Sequence, residues 1–286
     1  MSSSTLTGVL LVDKPEGPTS HDVVARIRRL LGIRRIGHTG TLDPFASGLL
    51  VMLVGSATRL ARFVTDQPKA YVGTIRLGQT TDTHDRTGSL TAEADASRVT
   101  PDQLTDAATR LTGTFDQIPP QHSAKKVNGV RSYRLARSGQ RAELAPRTVT
   151  VTRFDLTDRV EDDVSFDVAV SSGTYVRALV RDLGEALGCG AHLSRLRRIS
   201  VGAFDVSRAT QPDSVTADHL LPARLAVRHL PSMSVSEAEL ERISHGGFVS
   251  APSGASGVVA IVNEDQLIAV GSVADSVLRP KVVLTG

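Results

Sequence analysis

The segment Ile36-Gly-His-Thr-Gly-Thr-Leu-Asp-Pro-Phe-Ala-Ser-Gly48 leads directly into the apolar run Leu49–Val54. Its glycines and proline predict an irregular loop, and the length of the apolar run predicts a buried strand. Loops anchored by a buried strand often carry catalytic groups, so His38 and Asp43 are candidates. Asp43 precedes a proline, which biases it away from helical geometry. The competing interpretation is a simple Asp-Pro turn whose carboxylate caps local amides.

Around this loop, strands and helices alternate without a regular βαβ order. Helix caps are predicted at Ser20 and Thr174, and a further helix is predicted to begin at Thr100. Period-two and continuous apolar patterns predict the strands Gly8–Asp13, Tyr71–Leu77, Thr148–Leu156, Val164–Val170 and Ile199–Phe204. We therefore predict an α+β fold, with a mixed, largely antiparallel sheet flanked by helices.

The composition changes near Arg224–Met233. A capping box, Ser236-Glu-Ala-Glu239, follows, and then three short predicted strands. We predict two domains, a catalytic domain at residues 1–228 and a small β-rich domain at residues 229–286.

The composition excludes several classes of protein. The chain has 286 residues, one cysteine, no tryptophan and 33 lysines plus arginines, only five of which are lysines. A single cysteine, Cys189, excludes an internal disulfide framework, and the eight histidines lack metal-ligand spacing, so no metal site is expected. No apolar run approaches the roughly 18 residues of a membrane helix, so we expect a cytoplasmic protein with no membrane partner. The arginine excess keeps nucleic acid among the expected partners.

Two further groups attract attention. Arg177, in Ser171-Ser-Gly-Thr-Tyr-Val-Arg177, is expected in the first turn of a helix, where the helix dipole disfavours a cation. An acidic partner or a phosphate would offset this, and the alternative is an ordinary surface arginine. Tyr71, at the start of a strand, is either a stacking platform or a tyrosine at the edge of the core.

Five ordered segments, which lie within residues 8–205, resemble the TruB-type tRNA pseudouridine synthase family. They are Leu11-Val-Asp-Lys-Pro-Glu-Gly-Pro-Thr-Ser20, Gly37-His-Thr-Gly-Thr-Leu-Asp-Pro44, Arg76-Leu-Gly-Gln-Thr-Thr-Asp-Thr-His-Asp85, Gly173-Thr-Tyr-Val-Arg177, and Gly188-Cys-Gly-Ala-His192 with Leu196-Arg-Arg198. The resemblance implies the pseudouridine synthase fold, and the C-terminal residues resemble a reduced PUA-type RNA-binding module.

The resemblance also implies an activity, the isomerisation of the T-loop uridine at tRNA position 55 by base flipping and an essential aspartate. Asp43 matches that aspartate, which acts either as a nucleophile or by taking a proton from the sugar. Arg177 matches its ion-pair partner and is expected to lower the pKa of Asp43. No cofactor is implied. The expected partner is the T arm of tRNA, bound by a monomer with no obligatory protein partner.

The resemblance assigns the rest of the pocket residue by residue. Tyr71 matches the tyrosine that stacks on the target base, and Leu196 matches an apolar residue of the pocket wall. Tyr175 matches a second pocket tyrosine, expected to be buried and hydrogen-bonded. His38 matches a histidine that fills the space left by the flipped nucleotide.

The segment Gln121–Val127 departs from the family pattern at His122 and Lys125, although Lys126 is still a candidate RNA contact. Two alternatives to the synthase remain at this point. One is a non-enzymatic RNA-binding or RNA-folding protein, suggested by the arginine excess. The other is a two-carboxylate hydrolase that combines Asp43 with Asp82 or Asp85, for which the sequence offers no sugar-binding aromatic set.

Overall fold

The structure, a computed structural model, describes residues 6–121, 126–127, 130–131 and 144–284. His122 and Lys125 of the atypical segment, and also Tyr133, lie outside the described residues. The backbone of Lys126 forms part of a two-residue strand, but its side chain is outside the description.

The centre of the described chain is one large sheet. Numbered along the chain, its strands include β1 (Gly8–Lys14), β3 (Ser47–Val54), β12 (Ala191–Val201), β4 (Lys69–Leu77), β11 (Asp163–Val170), β10 (Arg147–Val160) and β7 (Gly113–Gln117), which lie side by side in this order. Two short strands, β2 (Ile36–His38) and β13 (Phe204–Asp205), pair with β3 and β12. All of its pairings are antiparallel except the short β3–β12 contact, so the predicted α+β class with a mixed, largely antiparallel sheet is confirmed. Four further strands form two small hairpins, β5 (Gln79–Thr81) with β6 (Leu90–Glu93), and β8 (Lys126–Val127) with β9 (Val130–Arg131).

Helices cover this sheet and bury its apolar side chains. Among the described residues up to 228, the α-helices are α1 (Ser20–Leu31), α2 (Ala61–Thr65), α3 (Pro101–Arg110) and α4 (Val176–Leu187). The largest core cluster lies where α3 and α4 pack on the face that carries Ile75 and Val168. Apolar residues at helical spacing bury this interface, and their removal from water is the main stabilising contribution.

Two of the predicted helix caps differ from the structure. The cap of α1 is Thr19, not Ser20, because the Thr19 hydroxyl accepts the N–H of Asp22 and leaves the Ser20 hydroxyl for another partner. At α4, Tyr175 rather than Thr174 occupies the cap position, and it makes no side-chain capping bond. The side chain of Gln117, at the end of β7, binds the backbone of Tyr175 at this helix end instead.

Strand β12 is longer and begins earlier than the predicted strand Ile199–Phe204. It pairs with β4 along its length and with β3 at Arg197 and Arg198, which places it at the centre of the sheet. The register shifts at two irregularities, between Leu193 and Arg195 and between Arg198 and Ser200. The sequence pattern missed this strand because serines and arginines interrupt its apolar residues.

The C-terminal residues form a second sheet with the strand order β14-β16-β17-β18-β15. The strands are β14 (Ser232–Ser234), β15 (Val249–Ser250), β16 (Gly257–Asn263), β17 (Gln266–Ala274) and β18 (Val277–Val283), and the sheet carries helix α5 (Glu237–Ser244). The predicted capping box at Ser236 and Glu239 is confirmed. Val270 and Leu284 share a core cluster with Leu49 and Val51 of the large sheet, so the two sheets pack together.

Among the described residues, no helix combines the length and the apolar character that crossing a membrane requires.

Candidate active site

Ser20, at the start of α1, is hydrogen-bonded to the loop that carries Asp43. The buried Ser20 hydroxyl accepts the N–H of Leu42 at 2.9 Å and donates to the carbonyl of Leu42 at 3.1 Å. The carbonyl of Pro44 accepts the N–H of Gly17 at 2.8 Å. Both neighbours of Asp43 are therefore tied to the turn that precedes α1, which fixes the direction of the Asp43 side chain.

Lys14 fixes the other side of the loop. Its side chain is completely buried, and its ammonium donates to the carbonyls of Ala46 at 2.7 Å, Pro15 at 2.9 Å and Pro44 at 3.4 Å. Burial lowers the pKa of Lys14 to about 8, although the nearby carboxylate of Asp43 acts in the opposite direction. The three carbonyls satisfy all three donors of the ammonium, so this cation is a structural clamp on the loop.

Arg177 joins two carboxylates. Its Nε lies 3.0 Å from Oδ2 of Asp43, and its Nη1 lies 3.4 Å from Oδ2 of Asp85 and donates to the carbonyl of Thr83 at 2.9 Å. Arg177 and Asp85 are buried, whereas 38% of the Asp43 side chain is exposed. The acidic partner that the helix position of Arg177 requires is thus present, and of the two carboxylates that Arg177 contacts, Asp43 is the accessible one.

The pKa of Asp43 differs from the sequence-based expectation. Burial raises the pKa of this carboxyl above its usual value of 3.8, and the charge of Asp85 adds to the rise. Arg177 and Lys14 act in the opposite direction, as expected, but they do not reverse the shift. The expectation of a lowered pKa was therefore wrong, because it considered the arginine alone and neither burial nor the second carboxylate.

A cavity of about 370 Å³ opens beside Asp43, within the size range of small-ligand pockets. Tyr71, Tyr175, Arg177 and Leu196 all line it with Asp43. Tyr71 and Leu196 are buried in the sheet, whereas Tyr175 is only partly buried and its hydroxyl makes no hydrogen bond to a described residue. The structure thus brings five of the six predicted site residues to one cavity.

The remaining predicted residue, His38, lies at the end of β2 and does not line this cavity. Its ring packs edge-to-face against that of His21, with 5.3 Å between the ring centroids. Burial lowers the pKa of His38 to about 4, and the neighbouring His21 and Arg198 contribute, so the imidazole is neutral at neutral pH.

Gln117, at the end of β7, binds the N-terminal end of α4. Its side-chain amide is hydrogen-bonded to both the N–H and the carbonyl of Tyr175, two residues before Arg177. This bond replaces the missing side-chain cap and satisfies a backbone group that helix ends leave open.

Sequence reasoning did not single out Lys14, Ser20 or Gln117 as parts of the site, and it considered Asp85 only as the second carboxylate of a hydrolase. Lys14 and Ser20 both lie in the first family-like segment, Leu11–Ser20, so the signal was present but carried no assigned role. Within the described residues, no group of three His, Cys, Asp or Glu side chains is placed to hold a metal ion. That the chain uses no cofactor stays a prediction.

Comparisons with known proteins agree with this geometry. Residues 28–176 match the family model described as TruB family pseudouridylate synthase (N terminal domain), and residues 177–249 match the tRNA pseudouridylate synthase B C-terminal domain. The tRNA pseudouridine synthase B of Thermobifida fusca (strain YX) is 45% identical over 290 residues, which cover 98% of this chain and 99% of that protein. The protein of the same name from Paenarthrobacter aurescens (strain TC1) is 46% identical over 258 residues, covering 87% of this chain and 83% of that one.

Solved structures share the fold. A chain of a Cbf5-Nop10-Gar1 complex superposes with a TM-score of 0.76 and 28% identity, over 98% of this chain and 86% of that one. A chain of an H/ACA RNP bound to a substrate RNA containing 2'-deoxyuridine gives a TM-score of 0.75 and 26% identity, over 99% and 86% of the two chains.

Proposed function

The chain belongs to the TruB family of pseudouridylate synthases, and from this premise we propose that it converts the T-loop uridine at position 55 of tRNA to pseudouridine. The observation that carries the proposal is the ion pair between Asp43 and Arg177 inside a cavity walled by Tyr71 and Leu196. An accessible carboxylate that is paired with an arginine beside an apolar and aromatic wall suits a reaction at the bond between a base and its sugar.

The wall supports the binding of a flipped base. Leu196 lies opposite Gly73 in the β12–β4 pairing. Tyr71 precedes Gly73 by two residues on β4. Because side chains two residues apart on a strand share a face, the tyrosine ring and the leucine side chain border the same space. Base flipping costs a few kcal/mol, which stacking in such a pocket offsets. We also propose that His38 fills the space that the flipped uridine leaves in the RNA. Its neutral ring lies outside the cavity, where it does not compete with the flipped base.

The proposed chemistry is an isomerisation. The N1–C1′ bond of the uridine breaks, the uracil rotates, and C5 bonds to C1′, after which the proton of C5 is lost and N1 gains one. In one route the Asp43 carboxylate attacks C1′ as the N1–C1′ bond breaks, and it is displaced when C5 bonds to C1′. In the other route it takes a proton from the sugar and returns that proton when C5 bonds to C1′. Asp43 must be ionised for both routes. Arg177 holds that carboxylate in place and stabilises its charge, while Asp85 and Thr83 hold Arg177.

The domain division at residues 228 and 229 and the PUA-like role of the C-terminal sheet belong to the same proposal. Phe248 is 56% exposed, and the guanidinium of Arg279 lies 5.0 Å from the centre of its ring. An exposed aromatic ring next to an arginine is suited to contact with RNA bases and phosphates. We also propose that the chain acts in the cytoplasm as a monomer, without a metal or an obligatory protein partner.

The proposal is tested by incubating the purified chain with unmodified tRNA and mapping every pseudouridine that forms. We expect one new pseudouridine, at position 55, and none with Asp43→Asn, which should still bind tRNA. Turnover by Asp43→Asn at the normal rate would remove Asp43 from the mechanism. Release of free uracil would instead identify a hydrolase, and tRNA refolding that persists in an inactive variant would identify an RNA-folding role.

A further inference from the structure

The cavity beside Asp43 has two ends of different charge. The charged side chains that line it are two acids, Asp43 and Asp66, and four cations, Lys69, Arg147, Arg177 and Arg198. At one end, Arg177 is neutralised by Asp43 and Asp85. Nothing in the proposed chemistry uses the cations of the other end.

Strand pairing brings two of those cations next to the base-binding wall. Arg198 lies directly opposite Tyr71 in the β12–β4 pairing, and Lys69 precedes Tyr71 by two residues on the same face of β4. A methyl group placed on Gly40 would lie 3.4 Å from Nη1 of Arg198 and 3.7 Å from Cε of Lys69. The two side chains therefore converge on one corner, three residues from Asp43 along the loop.

The third cation closes that corner from across the cavity. Arg147 begins β10, and its guanidinium lies over Gly173, at a place that any side chain on Gly173 would occupy. The positive φ of Gly173, 87°, likewise favours glycine there. The Arg147 side chain is exposed and makes no ion pair or hydrogen bond to a described residue, so its donors are available at the mouth of the cavity.

Binding to the protein does not use up the donors of the two buried cations. Arg198, which is 2% exposed, donates from Nε to the carbonyl of Leu49 at 2.7 Å and from Nη2 to that of Gly40 at 3.0 Å, which leaves Nη1 without a described partner. The Lys69 ammonium donates to the carbonyls of Thr65 at 2.9 Å and Gln67 at 2.8 Å, and one of its three donors remains.

No described carboxylate lies within ion-pair distance of Lys69, Arg147 or Arg198. Burial lowers the pKa of Lys69 to about 8, and the charges of Arg198 and Arg147 add to this, while Asp66 acts in the opposite direction. Buried cations without a counter-charge are costly to a folded protein, so a ligand anion at this corner would be strongly favoured.

We infer that Lys69, Arg147 and Arg198 form a phosphate subsite, which binds the phosphodiester directly attached to the flipped uridine. The inference rests on the proposed function, because a uridine stacked on Tyr71 with its ribose at Asp43 carries its negative charge only on the flanking phosphates. Arginine forks and a lysine ammonium are the side chains that proteins use for phosphate oxygens. The subsite would anchor the nucleotide by its backbone while the uracil detaches and rotates.

The test uses a T-arm stem-loop RNA and the variant Arg147→Gln, which is exposed and is expected to fold normally. Its matched control is Arg110→Gln, an exposed arginine at the end of α3, away from the cavity. One RNA pair carries a methylphosphonate or a phosphodiester on the 5′ side of the target uridine, with a 2′-O-methyl group on the preceding nucleotide of both RNAs. A second pair is nicked on the 3′ side and ends in a 3′-phosphate or a 3′-hydroxyl.

We expect neutralisation of one of the two flanking phosphates to raise the KM of the unmodified protein by about tenfold, and Arg147→Gln to raise KM similarly on the charged RNA. Combined, the two changes should have little more effect than either alone, because they remove the same contact. The slope of log KM against log salt should fall by about one in Arg147→Gln and should not change in Arg110→Gln.

Independent, multiplying effects of the variant and of both RNA changes would overturn the subsite, as would an unchanged salt slope. These results are distinguishable from failure of the proposed function. In that case the unmodified protein makes no pseudouridine on the fully charged stem-loop.

Discussion

The side-chain amide of Gln117 accepts the backbone N–H of Tyr175 at 2.9 Å and donates to the carbonyl of the same residue at 3.2 Å. This pair of bonds joins the last residue of β7 to the start of α4. Arg177, which holds Asp43, lies in the first turn of that helix. The position of the arginine therefore depends on a glutamine that touches neither the cavity nor Asp43.

Replacement of Gln117 by alanine should lower kcat while KM for tRNA changes little, since the change acts on the Asp43–Arg177 pair rather than on RNA contacts. Loss of two partly buried hydrogen bonds should also lower the free energy of unfolding by about 1–3 kcal/mol. Steady-state kinetics and urea unfolding measure the two effects. Gln266→Ala, at an exposed position in β17, serves as the control. A rise in KM with unchanged kcat would show that Gln117 acts on RNA binding instead.

Asp43→Asn should be inactive yet at least as stable as the unmodified protein at pH 7. Because the folded-state pKa of Asp43 is raised, ionising this carboxyl is harder in the folded chain than in the unfolded chain. Its contribution to stability is therefore lost as the pH rises through the interval from 3.8 to the raised pKa, and asparagine avoids that loss. Arg177 retains Asp85 as its partner in the variant. Urea unfolding at pH 4 and pH 7 checks this, with Asp106→Asn as an exposed control, and equal stability changes at both pH values would contradict it.

The pH profile of kcat should show an acid limb, because both routes require an ionised Asp43. The limb should lie above the usual carboxyl pKa of 3.8, as burial and the charge of Asp85 both raise the pKa of Asp43. In Asp85→Asn the limb should move to lower pH, since one raising charge is gone, while the maximal kcat falls because Arg177 loses an anchor. Single-turnover rates between pH 4 and pH 8 give both quantities. A limb that stays in place in Asp85→Asn would show that another group controls it.

Lys14→Met should impair activity more than stability. The variant removes the clamp on the carbonyls that flank Asp43, and displacement of a catalytic group by about 1 Å can cost about a hundredfold in rate. Its effect on unfolding is smaller, because the buried cation that is removed is itself costly.

The same variant has a pH signature. The pKa of Lys14 is about 8 in the folded chain and 10.5 as its ordinary value, so between these pH values the unfolded chain binds the extra proton. The Lys14 contribution to stability should thus increase as the pH rises from 8 to 10.5, and Lys14→Met should lack this increase. Parallel pH dependences of unfolding in the two proteins would contradict the assignment.

The sequence was sufficient to predict the fold class and five residues of the cavity. Asp43 and Arg177 stand 134 positions apart in the printed sequence, and only the resemblance to a family paired them. Apolar periodicity found β4 and β11, whose alternation is regular, and missed most of β12, where serines and arginines interrupt the apolar residues.

The supporting residues could not be predicted, for a physical reason. Ser20 looked like a helix cap, because local hydrogen bonding explains a serine at a helix start, but Thr19 supplies that cap and Ser20 binds Leu42. Asp85 lies in a polar loop, which it orders through Thr83 and Thr87, and no local pattern marks it as a partner of Arg177. Sums of opposing effects, such as those that raise the pKa of Asp43, depend on burial and on distances that no local pattern contains.

The register of β12 has a consequence for altering this chain. Between its two irregularities, consecutive arginines point to opposite faces, so that Arg198 faces the cavity and Arg197 binds Asp13 with bonds of 2.9 and 2.8 Å. Deleting one residue between Arg195 and Arg198 would leave the net composition almost untouched but shift the phase of the strand. If Arg197 were deleted, Leu196 and Arg198 could no longer both face the cavity, although both would still be present in the chain. In β12, a substitution therefore changes one side chain of the cavity, whereas a change in strand length moves several of them to the opposite face.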